Sequence, residues 1–203
     1  TITNATTFNN TGTVTLGDAA SDVLTFTGGL TATAPAVTLN GEVRTDGQAI
    51  SLGSSTKAVT LGGTTSILDT TNNGGTTTGA GITVDGAVDG AADNTQSLTL
   101  KAGTGGAISF TANAVVGGTA SKQPATLTVQ SSNGATFTGA VSTDTSVVIN
   151  GTQAGQTVSF AGGLVTPTLT TAAAGYNVSI TGASNTITNA TTFNNTGTVT
   201  LGD

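Results

Sequence analysis

Few side chains in this 203-residue sequence can do chemistry. It has ten carboxylates and four cations, and it has no His, Cys, Met or Trp at all. Ser/His/Asp and Cys/His catalytic arrangements, zinc fingers, and the common haem and iron–sulfur ligand sets are therefore excluded. The densest acidic run is DGAVDGAADN, which sets Asp85, Asp89 and Asp93 four residues apart with Asn94 adjacent. Three carboxylates and an amide oxygen separated by Gly could ligate a hard cation such as Ca²⁺, although the spacing is neither that of an EF-hand loop nor that of the Ca²⁺-binding β-roll nonapeptide. The simpler reading of the run is a solvated turn whose Asp side chains bond their own backbone.

A second pairing, Glu42 with Asp46, flanks Arg44. Paired carboxylates can cleave glycosidic bonds, but no aromatic ring accompanies either group to stack on a sugar. The pair around Arg44 reads as a surface salt bridge of small energetic weight. The sequence thus predicts no enzyme and no cofactor other than the Ca²⁺ candidate at Asp85, Asp89 and Asp93. Asn-x-Ser/Thr occurs at Asn4, Asn9, Asn150, Asn177, Asn189 and Asn194, as chance allows in a chain so rich in Thr and Asn. The GTGG and LGG stretches lack the Lys of a phosphate loop and read as turns.

The elements that carry these residues follow one pattern. An apolar residue, Thr or Ser, and a second apolar residue precede a Gly or Asn turn, as in VTLG, LTFTG, ISLG, ITVDG, ISFTA, VSFAGG and VSITG. Alternation of period two with one apolar face is a strand signature, and β-branched Thr and Val fit a pleated surface better than a helix. Successive segments begin 9 to 19 residues apart, so each strand spans about four to five residues. A β-sandwich and a parallel β-solenoid both use short strands at this spacing. Six Phe, one Tyr and otherwise small apolar residues suit the narrow core of a solenoid.

The expectation is an all-β parallel β-helix in which Val14, Leu16, Leu24, Phe26, Val37, Leu39, Ile50, Leu52, Val59 and Leu61 point inward together. Stacked coils also reward columns of like residues, so Thr is expected on Thr and Asn on Asn, with ordinary turns as the alternative for the pairs Asn9-Asn10, Asn72-Asn73 and Asn194-Asn195. Residues 69–80 (DTTNNGGTTTGA) read as an exposed loop. Residues 112–124 read as an irregular patch in which Val115 and Val116 supply a short strand.

The ends carry the strongest signal of organisation. Residues 1–18 read TITNATTFNNTGTVTLGD, and residues 186–203 repeat them without a change at an offset of 185. The expected organisation is one solenoid unit over 1–185 with 186–203 opening the next identical unit. If that holds, the second copy should lie directly above the first along the stacking axis, about 5 to 8 coils and roughly 25–40 Å away.

The stretches AVTLNGEVRTDGQAISLG, ITVDGAVDG, SLTLKAGTGGAISF and PATLTVQSSNGATFTGAV resemble the repetitive strand regions of large secreted bacterial surface proteins, the filamentous-haemagglutinin-like adhesins and autotransporter passengers. The resemblance implies a parallel β-helix, secretion, and a role as stalk, fibre or adhesin. A net charge of −6 with Arg44, Lys57, Lys101 and Lys122 scattered gives no basic patch for nucleic acid, and no apolar run is long enough to span a membrane. The partners expected are stacked copies of the chain itself and, in the adhesin reading, a glycan or cell surface. Expected localisation is extracellular.

Overall fold

A computed structural model describes residues 1–202; Asp203, the last residue of the repeated phrase, lies outside the described residues. The chain is all-β, and its described residues contain no helix. Each coil turns through three strand faces. Face one is an unbroken sheet of nine parallel strands, from Thr6–Thr7 and Leu30–Ala32 through Ile108–Phe110 and Ala135–Phe137 to Asn177–Ile180 and Val199–Leu201. Face two runs from Thr13–Leu16 through Val88–Gly90, a single bridge at Val116 and Val141–Ser142 to Leu164–Thr166 and Thr186–Ile187. Face three runs from Val23–Thr25 through Ser97–Lys101, Thr126–Ser131 and Ser146–Ile149 to Thr168–Thr171. Two long strands, Ala36–Arg44 and Val59–Asp69, each bend from face two into face three, and the register slips between Leu39 and Gly41 at that corner.

All pairing between strands is parallel, which removes the antiparallel sandwich as an alternative. The physical reason lies in coil length. Leu30 pairs with Ile50 and Ile50 with Ile82, so the chain returns to one face after 20 to 32 residues, long enough for the crossover that a parallel pair requires.

The core is a stack of in-register columns. On face one, Ile50, Ile82, Ile108, Ala135 and Val158 form one inward column; Leu52, Val84, Phe110, Phe137 and Phe160 form the other. All are buried. The ten residues expected to point inward do so; eight are fully buried, and Val14 and Leu24, in the first coil, are partly buried against the same core. The alternate position faces outward, as period two dictates.

The Gly that closes so many strand segments has a steric cause. A Cβ on Gly162 would stand 2.3 Å from the carbonyl carbon of Gly139, and one on Gly182 only 1.9 Å from the Gly163 nitrogen. The corner leaving face one therefore stacks backbone on backbone with no room for a side chain.

Three expectations need correction. Asp69, Thr70 and Thr71 are buried, so the loop is exposed only beyond them; it forms a folded excursion, with Asn72 and Asn73 in left-handed conformation at φ 52° and 56°. That places Asn72-Asn73 in a turn, not in an Asn ladder. Hydroxyls do ladder: Thr126 to Ser146 at 3.1 Å, Ser132 to Thr152 at 2.9 Å and Thr143 to Thr166 at 2.8 Å each join adjacent coils.

The third correction concerns the repeated phrase. In the first copy Ile2 bridges Phe26 on face three, Thr6–Thr7 lie on face one and Thr13–Leu16 on face two. In the second, Thr186–Ile187 lie on face two and Val199–Leu201 on face one, while Asn194 and Thr196 hydrogen-bond Thr171 and Ala174 beyond face three. Both strands that the second copy forms lie on a different sheet from their counterparts, and Thr191–Thr192, the counterparts of Thr6–Thr7, form no strand, although the stack between the copies is continuous. An apolar–Thr–apolar strand fits any of the three faces, so its setting follows from how many faces the intervening chain has consumed.

Candidate functional site

The acidic run is where chemistry was expected, and the fold pulls it apart. Asp85 sits just past face one, Asp89 points outward from face two, and Asp93 lies in the corner beyond it. Each binds a different part of the next coil. Asp85 accepts from the Thr111 hydroxyl and from Asn113 Nδ2 at 3.2 Å; Asp89 accepts from the Thr119 hydroxyl at 2.5 Å; Asp93 accepts from the Gln123 amide at 3.2 Å. A spacing of four residues along a coil carries successive side chains around the solenoid, so the three do not converge. No group of three His, Cys, Asp or Glu side chains able to hold a metal occurs among the described residues. The bonds also run to the following coil, not to the turn's own backbone as the sequence suggested. Hydrogen bonds from the Thr111 and Asn113 side chains hold the Asp85 carboxyl below the usual carboxylate range. The expected result of adding a chelator is an unchanged melting transition; a fall of several degrees would show that a divalent ion does bind the folded chain.

What the structure does bring together was not legible in sequence. Asp93 and Asp144 are 51 residues apart and meet across the intervening coil, with Thr145 Oγ1 donating to Asn94 Oδ1 at 2.8 Å beside them. Burial raises the Asp144 carboxyl above its ordinary value, and the neighbouring Asp93 carboxyl raises it further. Asp144 Oδ2 is buried without a hydrogen-bond partner. A raised folded-state pKa means that the Asp144 proton stabilises the fold below the unfolded value, about pH 4, and that this contribution is lost as pH rises through the folded value. Asp144→Asn should therefore raise the unfolding midpoint at pH 7 and do nothing below about pH 4. Equal midpoints for the two proteins across that range in denaturant titrations would contradict this account.

The pair around Arg44 is also larger than it looked. Arg44 grips Glu42 through two nitrogens, Nε to Oε1 at 3.1 Å and Nη2 to Oε2 at 2.8 Å. Asp46 does not join them; it accepts from the Thr76 hydroxyl in the excursion. The residue registered on Arg44 in the next coil is Asp69, and Lys101 registers on Asp69 in the coil after that. Asp69 has no exposed side-chain surface, and Lys101 Nζ lies 3.7 Å from its Oδ2. The four side chains make a charge column along one edge of face three, closed over by the excursion. With Asp69 fully buried between Arg44 and Lys101, the column ties three successive coils together.

The third feature covers one whole side. The outward position of face one is Thr7, Thr31, Ser51, Thr83, Ser109, Thr136, Ser159, Ser179 and Thr200, a hydroxyl on each of nine successive rungs. Its neighbours along the strand are small, among them Gly29, Ala49, Gly81, Ala107 and Gly134. Of the Asn-x-Ser/Thr positions, Asn4, Asn9, Asn150, Asn189 and Asn194 are exposed, whereas Asn177 lies on face one two residues before Ser179, and its Oδ1 accepts from the Thr198 amide and hydroxyl. Strand periodicity was the signal for this column, but which strands share a face is invisible until the coil lengths are known.

No helix among the described residues is long and apolar enough to cross a membrane. No protein family, curated protein or solved structure matches the chain.

Proposed function

We propose that this chain is a structural element of an extracellular bacterial fibre or stalk, whose work is length and stiffness. The observation that supports the reading is the commitment of its polar groups to inter-coil ties. Asp69, Asp85, Asp89 and Asp93 all bond across coils or anchor the excursion, and hydroxyl pairs bridge coils from Thr126–Ser146 to Thr143–Thr166. Parallel in-register stacking with such ties resists extension along the axis, because pulling loads the ladder hydrogen bonds of all three faces and the side-chain ties between the same coils together. Low charge and the repeated phrase fit the same role, with neighbouring copies of the chain as the partner and neither nucleic acid nor membrane as a ligand of this segment.

Electron microscopy of the native assembly, with antibody raised against the excursion around Thr77, tests the reading. Decorated rods on the cell exterior are expected; label confined to the cell interior, or to isolated particles without rods, would overturn it.

A second reading, an adhesin, is favoured by one observation: the uncharged hydroxyl column from Thr7 to Thr200. Hydroxyls at about 4.8 Å spacing can exchange hydrogen bonds with an extended glycan, and an array would add avidity to weak single contacts. Co-sedimentation of the chain with insoluble polysaccharide separates the two, since a purely structural element stays in the supernatant.

A further inference from the structure

The two copies of the phrase give the same residues in two settings, which differ in what covers them. In the first copy Leu16 is 2% exposed, because Leu39 pairs above it. Its counterpart Leu201 is 64% exposed at the open end of face one. At the other end the asymmetry reverses. Ile2 is 46% exposed, whereas its counterpart Ile187 is half-buried on Thr166. Each copy is thus covered on the side where the other is bare.

Four of the five large exposed apolar residues, Ile2, Val23, Val199 and Leu201, belong to the two terminal coils. An open cleft of about 570 Å³ lies at the first coil, lined by Thr15, Gly17, Asp18, Asp22, Val23 and Leu24. Bare strand edges of this kind are templates for a further parallel strand. The strand that Val199–Leu201 would accept has its counterpart in the first copy, where the identical Val14–Leu16 carries Val37–Leu39 in parallel register.

We propose that the ends of this unit join a second copy of the same chain through the repeated phrase, each unit turned by one third of a turn relative to the one before. The inference rests on the fibre reading and adds its geometry. From Ile2 on face three, the chain makes seven full coils to Thr168–Thr171 on the same face, then two further faces to Ile187 on face two. One period is seven and two-thirds coils. At about 4.8 Å per coil the rise is roughly 37 Å. The turn then follows without a choice: a phrase that starts on face three in one unit starts on face two in the next, and only three units restore the setting.

The consequence is a change in what the fibre displays. In a phase-keeping stack the hydroxyl column and the excursion around Thr77 would occupy one side of the rod. With a third of a turn per unit, each unit presents its hydroxyl column at a new azimuth, and the excursions emerge at three azimuths in succession. Such a rod meets a surface or a neighbouring rod equally from any side.

The test is a chain lengthened by one period, residues 1–203 followed by a second 19–203, carrying Thr77→Cys in both units. Thr77 is exposed and the chain has no native Cys, so a thiol-directed electron-dense label marks only these two points. The expected image is one straight rod with labels roughly 37 Å apart along the axis and a third of a turn apart in azimuth. Labels on the same azimuth would overturn the turn while leaving the fibre reading intact. Two bodies without a common axis would overturn both.

Leu201→Asp supplies an independent arm. In the 203-residue chain the residue is exposed, and the substitution should leave the melting transition in place. In the lengthened chain it would bury a charge at the junction and lower the melting midpoint toward that of the single unit. A midpoint in the lengthened chain that the substitution leaves unchanged would show that the ends do not dock.

Discussion

Phe137→Ala is expected to cost about 3–5 kcal/mol of unfolding free energy, the largest effect of any single truncation in this chain. Phe137 is fully buried at mid-stack, and its ring lies between Phe110 at 4.9 Å and Phe160 at 5.1 Å, parallel to the latter within 6°. Removing it deletes the transfer energy of a buried ring, leaves a cavity that the two-sided stack is too stiff to close, and breaks two aromatic contacts worth roughly 0.5–1.5 kcal/mol each. In a fold with net stability of about 5–15 kcal/mol this is a large share. Phe193→Ala, in the half-covered terminal coil, should cost far less. Denaturant unfolding of both variants checks the pair. A loss under about 1 kcal/mol for Phe137→Ala would mean that the column is not packed as described.

The second large effect belongs to Asp69. Its carboxylate accepts from the Thr71 amide and hydroxyl, both at 2.6 Å, and from the Asn73 amide at 3.1 Å. Ala in its place strands those donors and leaves the half-buried Arg44 and Lys101 facing fewer negative charges, at a cost of about 3 kcal/mol. The Lys101 contact, at 3.7 Å, contributes the smaller part. Asp69→Asn keeps one acceptor and should cost roughly half as much. Proteolysis is the second readout: the excursion from Asn72 to Ala80 should become cleavable in Asp69→Ala while the stack on either side stays resistant.

The pH dependence has a definite sign. Burial pushes the Asp69 carboxyl up, but hydrogen bonds from Thr71, an interaction with Glu42 and the Lys101 charge together pull it below the ordinary value. A depressed folded-state pKa means that the contribution is complete above the unfolded value, about pH 4, and is lost as pH falls through the lower folded value. The native chain should lose stability in strong acid by more than Asp69→Asn does. Parallel acid curves for the two proteins would show that Asp69 is not held ionised.

The strand pattern, the inward set and the all-β class were legible in the sequence because they depend on local alternation alone. Leu24, Phe26, Leu39 and Leu61 could be assigned inward without knowing their neighbours, since period two fixes the side of any strand once one face is buried. At Val115–Val116, where a short strand was expected, the chain forms only a single bridge at Val116. The charge column was not legible. Glu42 and Arg44 are close in sequence, but Asp69 and Lys101 join them only because coils of unequal length bring those positions to one edge.

The acidic run shows the opposite case. Asp85, Asp89 and Asp93 looked like a cluster because they are close along the chain, and a solenoid turns closeness along the chain into separation around the axis. Asp144 comes to Asp93 for the converse reason, since two coils of chain amount to about 10 Å of rise.

The repeated phrase divides the two kinds of information most sharply. The identical residues determine by themselves that Val14–Leu16 and its counterpart Val199–Leu201 each form a strand, because that depends on the phrase's own alternation and turns. They do not determine which face of the solenoid each strand joins. Thr13–Leu16 lies on face two and Val199–Leu201 on face one, from the same letters. That assignment was decided by the tertiary structure alone, because it depends on the total number of faces wound between the copies, and that number is a property of the whole chain and not of any stretch of it.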